Sequence, residues 1–390
     1  MSHEEITIRP EGNAQHVVLC VDGEEASECW IVPLTIRLGV ATVRIDGIGG
    51  VATKPAYRLR GYASRVLRRA LEEMTAGEAA LTMLYGIPNF YHRFGYVTAG
   101  PEYALFLYDV QREEPLPSGW QVRQFTPPDL PAVQRLYEQA TALATGAVVR
   151  GEDSQTWRQL LETPGKYPQD ECWVAVSPAG NVEGYAWRAR WCWSIWDVLE
   201  REFPEALPFG EVVAGTPGAA DTLLALCSRR AAEEGKEEAL IPVPPDSVVA
   251  LAARYRNARH VQLYSANGGS MVRTLDVQRL LRALQPELNR LIRQAGYAEP
   301  PCCLTIRTEL GEGTLCLHED GVTLGEPASS GSERFVVEMS QGTLARLALG
   351  FAPAEDLCAR LETPIPERVV ALLSLLFPPR YQHAYLPDRY

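Results

Sequence analysis

The chain of 390 residues has no run of the ~18 apolar residues that a membrane-spanning helix needs. Its longest apolar run, Val369 to Phe377, is interrupted by Ser374 and sits between prolines, and predicts a short buried helix. No C-x-x-C pair occurs, and the 9 cysteines are an odd number, so neither a zinc site nor a disulfide framework is expected. Most of them read as reduced, packed hydrophobes, the usual state in a cytoplasmic protein. His3, His16, His260, His318 and His383 show no metal-ligand spacing, and no metal is expected. The N-terminus, MSHEEITIRPEGN, lacks the apolar core of a secretory signal. Positive charge is in deficit, with 37 Lys and Arg against 49 Asp and Glu and a net charge of −12. That argues against non-specific binding to nucleic acid or to an anionic membrane, and favours a cationic partner. It does not exclude an anionic cofactor, because a helix N-terminus can hold phosphate inside an acidic protein.

What is present is an ordinary globular composition, 46% hydrophobic and 22% charged. At ~100–200 residues per domain the length predicts two to three domains. Two Pro/Gly-rich joints, Arg112-Glu-Glu-Pro-Leu-Pro-Ser-Gly119 and Ser265-Ala-Asn-Gly-Gly-Ser270, divide the chain into 1–115, 116–275 and 276–390. The first segment opens with strand-like runs at Ile6–Arg9, Val17–Val21, Trp30–Leu38, Val40–Ile45 and Ile48–Thr53. A helix then carries Val66, Leu67, Ala70, Leu71 and Met74 on one face, Gly77 is its stop, and Ala80–Tyr85 is a strand. The middle segment repeats this strand–helix logic and ends in a strand at Met271–Leu275. The last begins with an amphipathic helix, Val277–Ala295, and segregates strands from helices. The expected architecture is therefore α/β twice over, followed by an α+β module.

The stretch Val51 to Ser64 carries the chemistry. It is a strand, then Arg58-Leu-Arg60-Gly61-Tyr62-Ala63, an R-x-x-G-x-A sequence that opens the helix. Such a junction offers free backbone N–H groups at the positive end of a helix dipole. Gly61 permits close approach of the backbone, and Arg58 and Arg60 add charge-assisted donors. A pyrophosphate is the natural occupant.

With this motif the sequence resembles the GNAT acetyltransferases, in which it holds the pyrophosphate of acetyl-CoA. Asn89-Phe-Tyr91-His-Arg-Phe94-Gly-Tyr96 looks like the Y-x-R-F-G-Y signature of the Eis-like (enhanced intracellular survival) family, and the C-terminal Leu376-Phe-Pro378 with an aromatic last residue is similar to that family too. The resemblance implies tandem GNAT (acyl-CoA N-acyltransferase) domains, the second without the cofactor motif, and a sterol-carrier-protein-like third domain. It places the backbone of Val51 and Thr53 beside the pantetheine arm. Arg58, Arg60, Gly61, Tyr62, Ala63 and Ser64 surround the pyrophosphate. Tyr91 becomes the general acid for the departing thiolate, with His92 as a rival, and the terminal carboxylate of Tyr390 becomes the general base. A closed homo-oligomer, a hexamer, is implied as well.

The sequence departs from the pattern in two places. A typical GNAT domain has two helices between its first two strands, and the 50 residues before Val51 read mostly as strand. The penultimate residue is Arg389, where an acidic side chain would help to bind an amine, and Asp388 is the candidate for that role. Gly47-Ile-Gly49-Gly50-Val-Ala52 matches a dinucleotide G-x-G-x-x-A only superficially, since it leads into strand and not helix. Trp187, Trp191, Trp193 and Trp196 read as packing, or else as an acceptor pocket. The expected function is acetyl-CoA-dependent N-acetylation of a primary amine, an aminoglycoside-like polyamine or a lysine side chain. The alternative is a catalytically silent acyl-CoA- or lipid-binding protein on the same scaffold.

Overall fold

The computed structural model describes residues 3–166, 171–189, 199, 201–325 and 333–389. The chain forms two compact units, each discontinuous in sequence. One holds residues up to Gly100 and Ser265–Gln382, the other Pro101–Tyr264 and His383–Arg389.

The first unit begins as a meander. β1 (Glu4–Glu11), β2 (Ala14–Val21), β3 (Glu24–Leu38) and β4 (Ala41–Thr53) pair antiparallel in chain order. Only Gly12 and Asn13 separate β1 from β2, so no helix stands between the first two strands. Val17, Leu19 and Val21 alternate onto one face of β2 and meet Cys29 and Ile31 of β3 in a buried core. Helix α1 (Tyr62–Ala76) covers that face with Val66, Leu67, Ala70, Leu71 and Met74, its whole apolar stripe. Gly77 ends it, its N–H returning to the carbonyls of Glu73 and Met74. The chain then crosses back into β5 (Leu81–Gly86), which pairs with β4 in parallel.

Beyond β5 the sheet continues with a strand from far along the chain. Gly269–Thr274 lies antiparallel to β5, and Val97–Thr98 pairs on its other side. Met271 and Val272, on opposite faces, are both fully buried, as a strand with neighbours on each edge requires. This strand was expected to end the middle segment; its pairing puts it in the first unit. The rest of that unit is an α+β layer. Helix Val277–Ala295 is followed by a sheet in the order Gly321–Leu324, Gly311–His318, Cys302–Thr308, Glu333–Glu338, and then by helices Gln341–Ala348, Ala354–Cys358 and Glu367–Leu376.

That sheet holds one exception to the expectation of mostly reduced cysteines. Cys303 and Cys316 face each other across a hairpin with Cα atoms 4.1 Å apart and are joined as a disulfide. Register is the reason: no local spacing motif marks the pair, but the hairpin makes them a close cross-strand couple. The adjacent Cys302 points to the other face, its sulfur 3.6 Å from the Tyr297 hydroxyl. Cys20, Cys29, Cys172, Cys227 and Cys358 are also free thiols, and Cys192 lies outside the described residues.

The second unit has two sheets. One runs Glu211–Ala214, Val182–Trp187, Cys172–Val176, Gln121–Gln124; the other runs Ala206–Pro208, Glu238–Ile241, Glu102–Leu107, Ala258–Leu263. Helices Leu130–Thr141, Gln155–Lys166, Pro217–Glu233 and Val248–Ala253 accompany them. Tyr137, Trp157, Tyr185, Trp187 and Phe209 fill the core. Trp187 is thus core packing, while Trp191, Trp193 and Trp196 lie outside the described residues. Among the described residues no helix is long and apolar enough to cross a membrane.

Candidate active site

The site is built where two parallel strands part. β4 and β5 pair only from Ile45 with Leu81 to Gly47 with Met83. β4 continues to Thr53 and β5 to Gly86 without pairing to each other. The backbone groups of β4 that face β5 beyond Gly47 are therefore open to a ligand that runs along the strand as an extra one would. A bulge sharpens the divergence. Glu28 pairs with Ala52 but Trp30 with Gly49, so β4 carries an extra residue there, and Gly50 takes a φ of +56°. Gly50 also has to be glycine for space, since a Cβ would stand 2.7 Å from Cδ1 of Trp30. The G-x-G-x-x-A-like stretch thus lies inside a strand, and its glycines serve a bulge.

Val51 and Thr53 are the last inward turns of β4 before the loop. The Thr53 hydroxyl is 2.8 Å from that of Ser27, which also donates to the Ala52 carbonyl at 2.8 Å, so this end of the strand is held by side chains. Lys54 to Arg60 form a tight loop on a short 3-10 turn, Pro55–Tyr57. Leu59 has a φ of +64° and is fully exposed. A leucine there costs ~1 kcal/mol relative to ordinary backbone, strain of the kind kept at ligand-binding turns. Gly61 is the N-cap of α1 at φ +78°, and no side chain caps the helix. The first-turn N–H groups of Tyr62, Ala63 and Ser64 are left for a ligand. A Cβ on Gly61 would meet nothing within 4 Å, so the space above the helix end is open. Arg58 donates from Nε to the Thr53 carbonyl at 3.3 Å, and Arg60 lies 5.5 Å from the Tyr57 ring centroid; both are exposed. Tyr62 is different: its hydroxyl donates to Glu4 at 2.7 Å, so it contributes backbone only. An uncapped helix end, open strand backbone and two arginines fit the pyrophosphate and pantetheine of a coenzyme A thioester.

Tyr91 opens a 3-10 turn, Tyr91–Phe94, and packs on the end of β5, where a Cβ on Gly86 would come 2.6 Å from Cδ2 of its ring. Phe90 and Tyr96 meet it edge to face. The residue is buried, and its hydroxyl finds no hydrogen-bond partner among the described residues. Burial first, and then the neighbouring Cys29, push its phenol up to about 12. His92 is exposed and turned out of this cluster. Composition and spacing did not mark His16, yet it is buried, stacked on Trp30 at 4.1 Å, with Nε2 2.6 Å from Glu28 and Nδ1 3.3 Å from Glu11. The only advance signal was a histidine at a strand position that alternation assigns to a sheet face.

Tyr390 lies outside the described residues, but the tail before it is described within the second unit. Asp388 is not available to a substrate amine. It is buried, accepting from Arg150 Nε and Nη2, both at 2.8 Å, and from the hydroxyls of Tyr137 and Thr156, both at 3.1 Å. Arg150 is shared with Glu211, donating at 2.9 and 2.5 Å, and its guanidinium lies 3.8 Å from the Tyr137 ring centroid. The expectation that Asp388 binds the acceptor is therefore corrected: a fully buried arginine claims it. Arg389 pairs with Glu102 at 2.6 Å.

Residues 5–99 match the family model of the acetyltransferase (GNAT) domain, so the chain carries an acetyltransferase domain of the kind that uses acyl-CoA. It shares its fold with Eis1 from Mycobacterium abscessus, at 16% identity and a TM-score of 0.59, covering 98% of this chain and 92% of that one. It is similar to a GCN5-related N-acetyltransferase from Kribbella flavida, at 20% identity and a TM-score of 0.66, covering 96% and 87%. It is also similar to a probable N-acyltransferase from Enterococcus faecalis, at 16% identity and a TM-score of 0.68, covering 97% and 90%. At these identities the likeness is one of fold. No curated protein sequence matches the chain.

Proposed function

We propose that the chain transfers an acetyl group from acetyl-CoA to a primary amine within one ternary complex. The parting of β4 and β5 in front of the uncapped α1 carries this reading, because it supplies open strand backbone and a phosphate-binding helix end in line. The thioester supplies an activated acyl carbon. The β4 backbone at Val51 and Thr53 orients the pantetheine, and the α1 N-terminus with Arg58, Arg60, Gly61, Ala63 and Ser64 holds the pyrophosphate. A new C–N bond forms as the C–S bond breaks. The amine, an ammonium of pKa ~10 in water, must first lose a proton, and the Tyr390 carboxylate receives it directly or through a water. Tyr91 donates to the departing sulfur. With its phenol near 12 it remains protonated at neutral pH. Full transfer to a thiolate whose thiol has a pKa of ~8.5 is uphill by ~5 kcal/mol, so Tyr91 acts chiefly as a hydrogen-bond donor to the developing charge. The net charge of −12 favours polycationic acceptors, aminoglycoside-like or lysine-bearing.

The test is thiol release from acetyl-CoA with a panel of primary amines, run on the wild type and on a variant extended by a few residues after Tyr390. The reading expects amine-dependent release that the extension abolishes while the melting temperature is unchanged. Binding of acetyl-CoA without release for any amine would favour the silent acyl-CoA- or lipid-binding alternative. Normal kcat in the extended variant would remove the carboxylate from the mechanism.

A further inference from the structure

In an acidic chain, three guanidinium groups without a carboxylate partner among the described residues gather around one open cavity of about 280 Å³ in the first unit. Arg68 comes from α1, Arg93 from the turn after β5, and Arg273 from the inserted strand. Arg68 and Arg93 are exposed and lie over aromatic faces, 5.8 Å from the Phe94 and 5.0 Å from the Phe90 ring centroids, and Arg93 Nε donates to the Phe90 carbonyl at 3.3 Å. Arg273 is held rigidly: its Nη1 donates to the Phe94 carbonyl at 2.7 Å, while its Nε is buried with no partner among the described residues. Gly95 closes the turn beside it at φ +82°, a conformation that favours glycine. Gln341 frames the floor, donating to the Gly95 carbonyl at 2.6 Å and accepting from the Thr274 N–H at 2.8 Å. One carboxylate, Glu309, reaches the rim, and it accepts from the Gln341 N–H at 2.9 Å. The lining thus holds three fixed positive charges against one negative.

We infer that this cavity binds a phosphate monoester. Planar forks lining one cavity suit a tetrahedral oxyanion, and the buried, unpartnered Nε of Arg273 is a donor awaiting an acceptor. Arg68 stands seven residues from Gly61 on the same helix, ~10 Å along its axis. The inference rests in part on the proposed cofactor reading, since a coenzyme A whose pyrophosphate sits on Gly61 carries its 3′-phosphate one ribose away. A free phosphorylated ligand is the other source of the same chemistry.

Titration calorimetry separates them. Acetyl-CoA, 3′-dephospho-acetyl-CoA and inorganic phosphate are each titrated into the wild type, Arg273→Ala and the double variant Arg68→Ala/Arg93→Ala. The double variant changes two exposed side chains and leaves the fold intact should Arg273→Ala prove unstable. Loss of charge-assisted bonds is expected to make dephospho-acetyl-CoA bind the wild type about tenfold or more weaker than acetyl-CoA. The variants should then bind the two thioesters alike. Equal affinity of both thioesters for the wild type, with inorganic phosphate binding that the variants lose, would assign the cavity to a free phosphate ligand. Equal thioester affinity with no phosphate binding overturns the inference and leaves the acetyl-CoA reading standing. Failure of both thioesters to bind the wild type overturns the cofactor reading, and the phosphate arm alone then decides the cavity.

Discussion

Replacing Asp388 by alanine separates a substrate-binding carboxylate from a structural one. Asp388 and Arg150 are each 1% exposed in their side chains, and Glu211 is at 0%. Removing Asp388 takes away two charge-assisted bonds to Arg150 and leaves the Thr156 hydroxyl without its acceptor, whereas the Tyr137 hydroxyl keeps the Val148 carbonyl at 2.7 Å. Breaking a buried pair costs ~3–5 kcal/mol. Glu211 still neutralises Arg150, which favours the lower end, ~3 kcal/mol. In a unit of about 170 residues, 1 kcal/mol moves the melting temperature by ~2–4 °C, so Asp388→Ala should melt about 6–12 °C below the wild type. Asp388→Asn keeps volume and one acceptor and should fall between them. Differential scanning calorimetry on the full chain reads this directly. An alanine variant melting within a degree or two of the wild type would refute the reasoning. So would an unchanged melting temperature in Asp388→Asn together with a many-fold rise in KM for the amine, because the carboxylate would then serve the acceptor after all.

Three other outcomes are expected. Tyr91→Phe keeps the ring packing and removes the donor, so kcat should drop ~10²–10⁴-fold with little change in acetyl-CoA affinity; turnover at the wild-type rate would show that the thiolate leaves unassisted. Gly61→Asp puts a side chain and a like charge where the phosphates are proposed to lie, and calorimetry should lose its one acetyl-CoA site per chain; undiminished binding would move the cofactor elsewhere. His383 is buried, and burial with the nearby Arg389 and His260 holds its imidazole down to about 3. Because the folded-state value lies below the unfolded ~6.5, its contribution is fully present above pH 6.5 and is lost as pH falls, by ~2 kcal/mol between 6.5 and 5. Urea unfolding at pH 7 and pH 5 should show that loss in the wild type and a smaller one in His383→Leu; equal losses would mean that His383 is protonated in the folded chain.

Local patterning already determined much of the local structure around the candidate site. The apolar spacing of Val66, Leu67, Ala70, Leu71 and Met74 located α1, and the Gly61 and Gly77 boundaries match its two ends. Helix Val277–Ala295 was legible to the residue, because a 3.6-residue period and its caps are written within one segment. The phosphate chemistry proposed for Arg58 to Ser64 is equally local, since a phosphate-binding turn needs only the glycine, the arginines and the helix that follows. What no segment contains is its partner. The tertiary structure alone decided that Gly269–Thr274 joins β5, that β4 and β5 separate after Gly47, and that Cys303 meets Cys316. It alone brought Arg150 to Asp388, and Arg68, Arg93 and Arg273 to one cavity. A strand's edges look alike in sequence whether or not they are paired. A charged side chain likewise carries no mark of whether burial will take it from solvent, because both depend on groups supplied from hundreds of residues away.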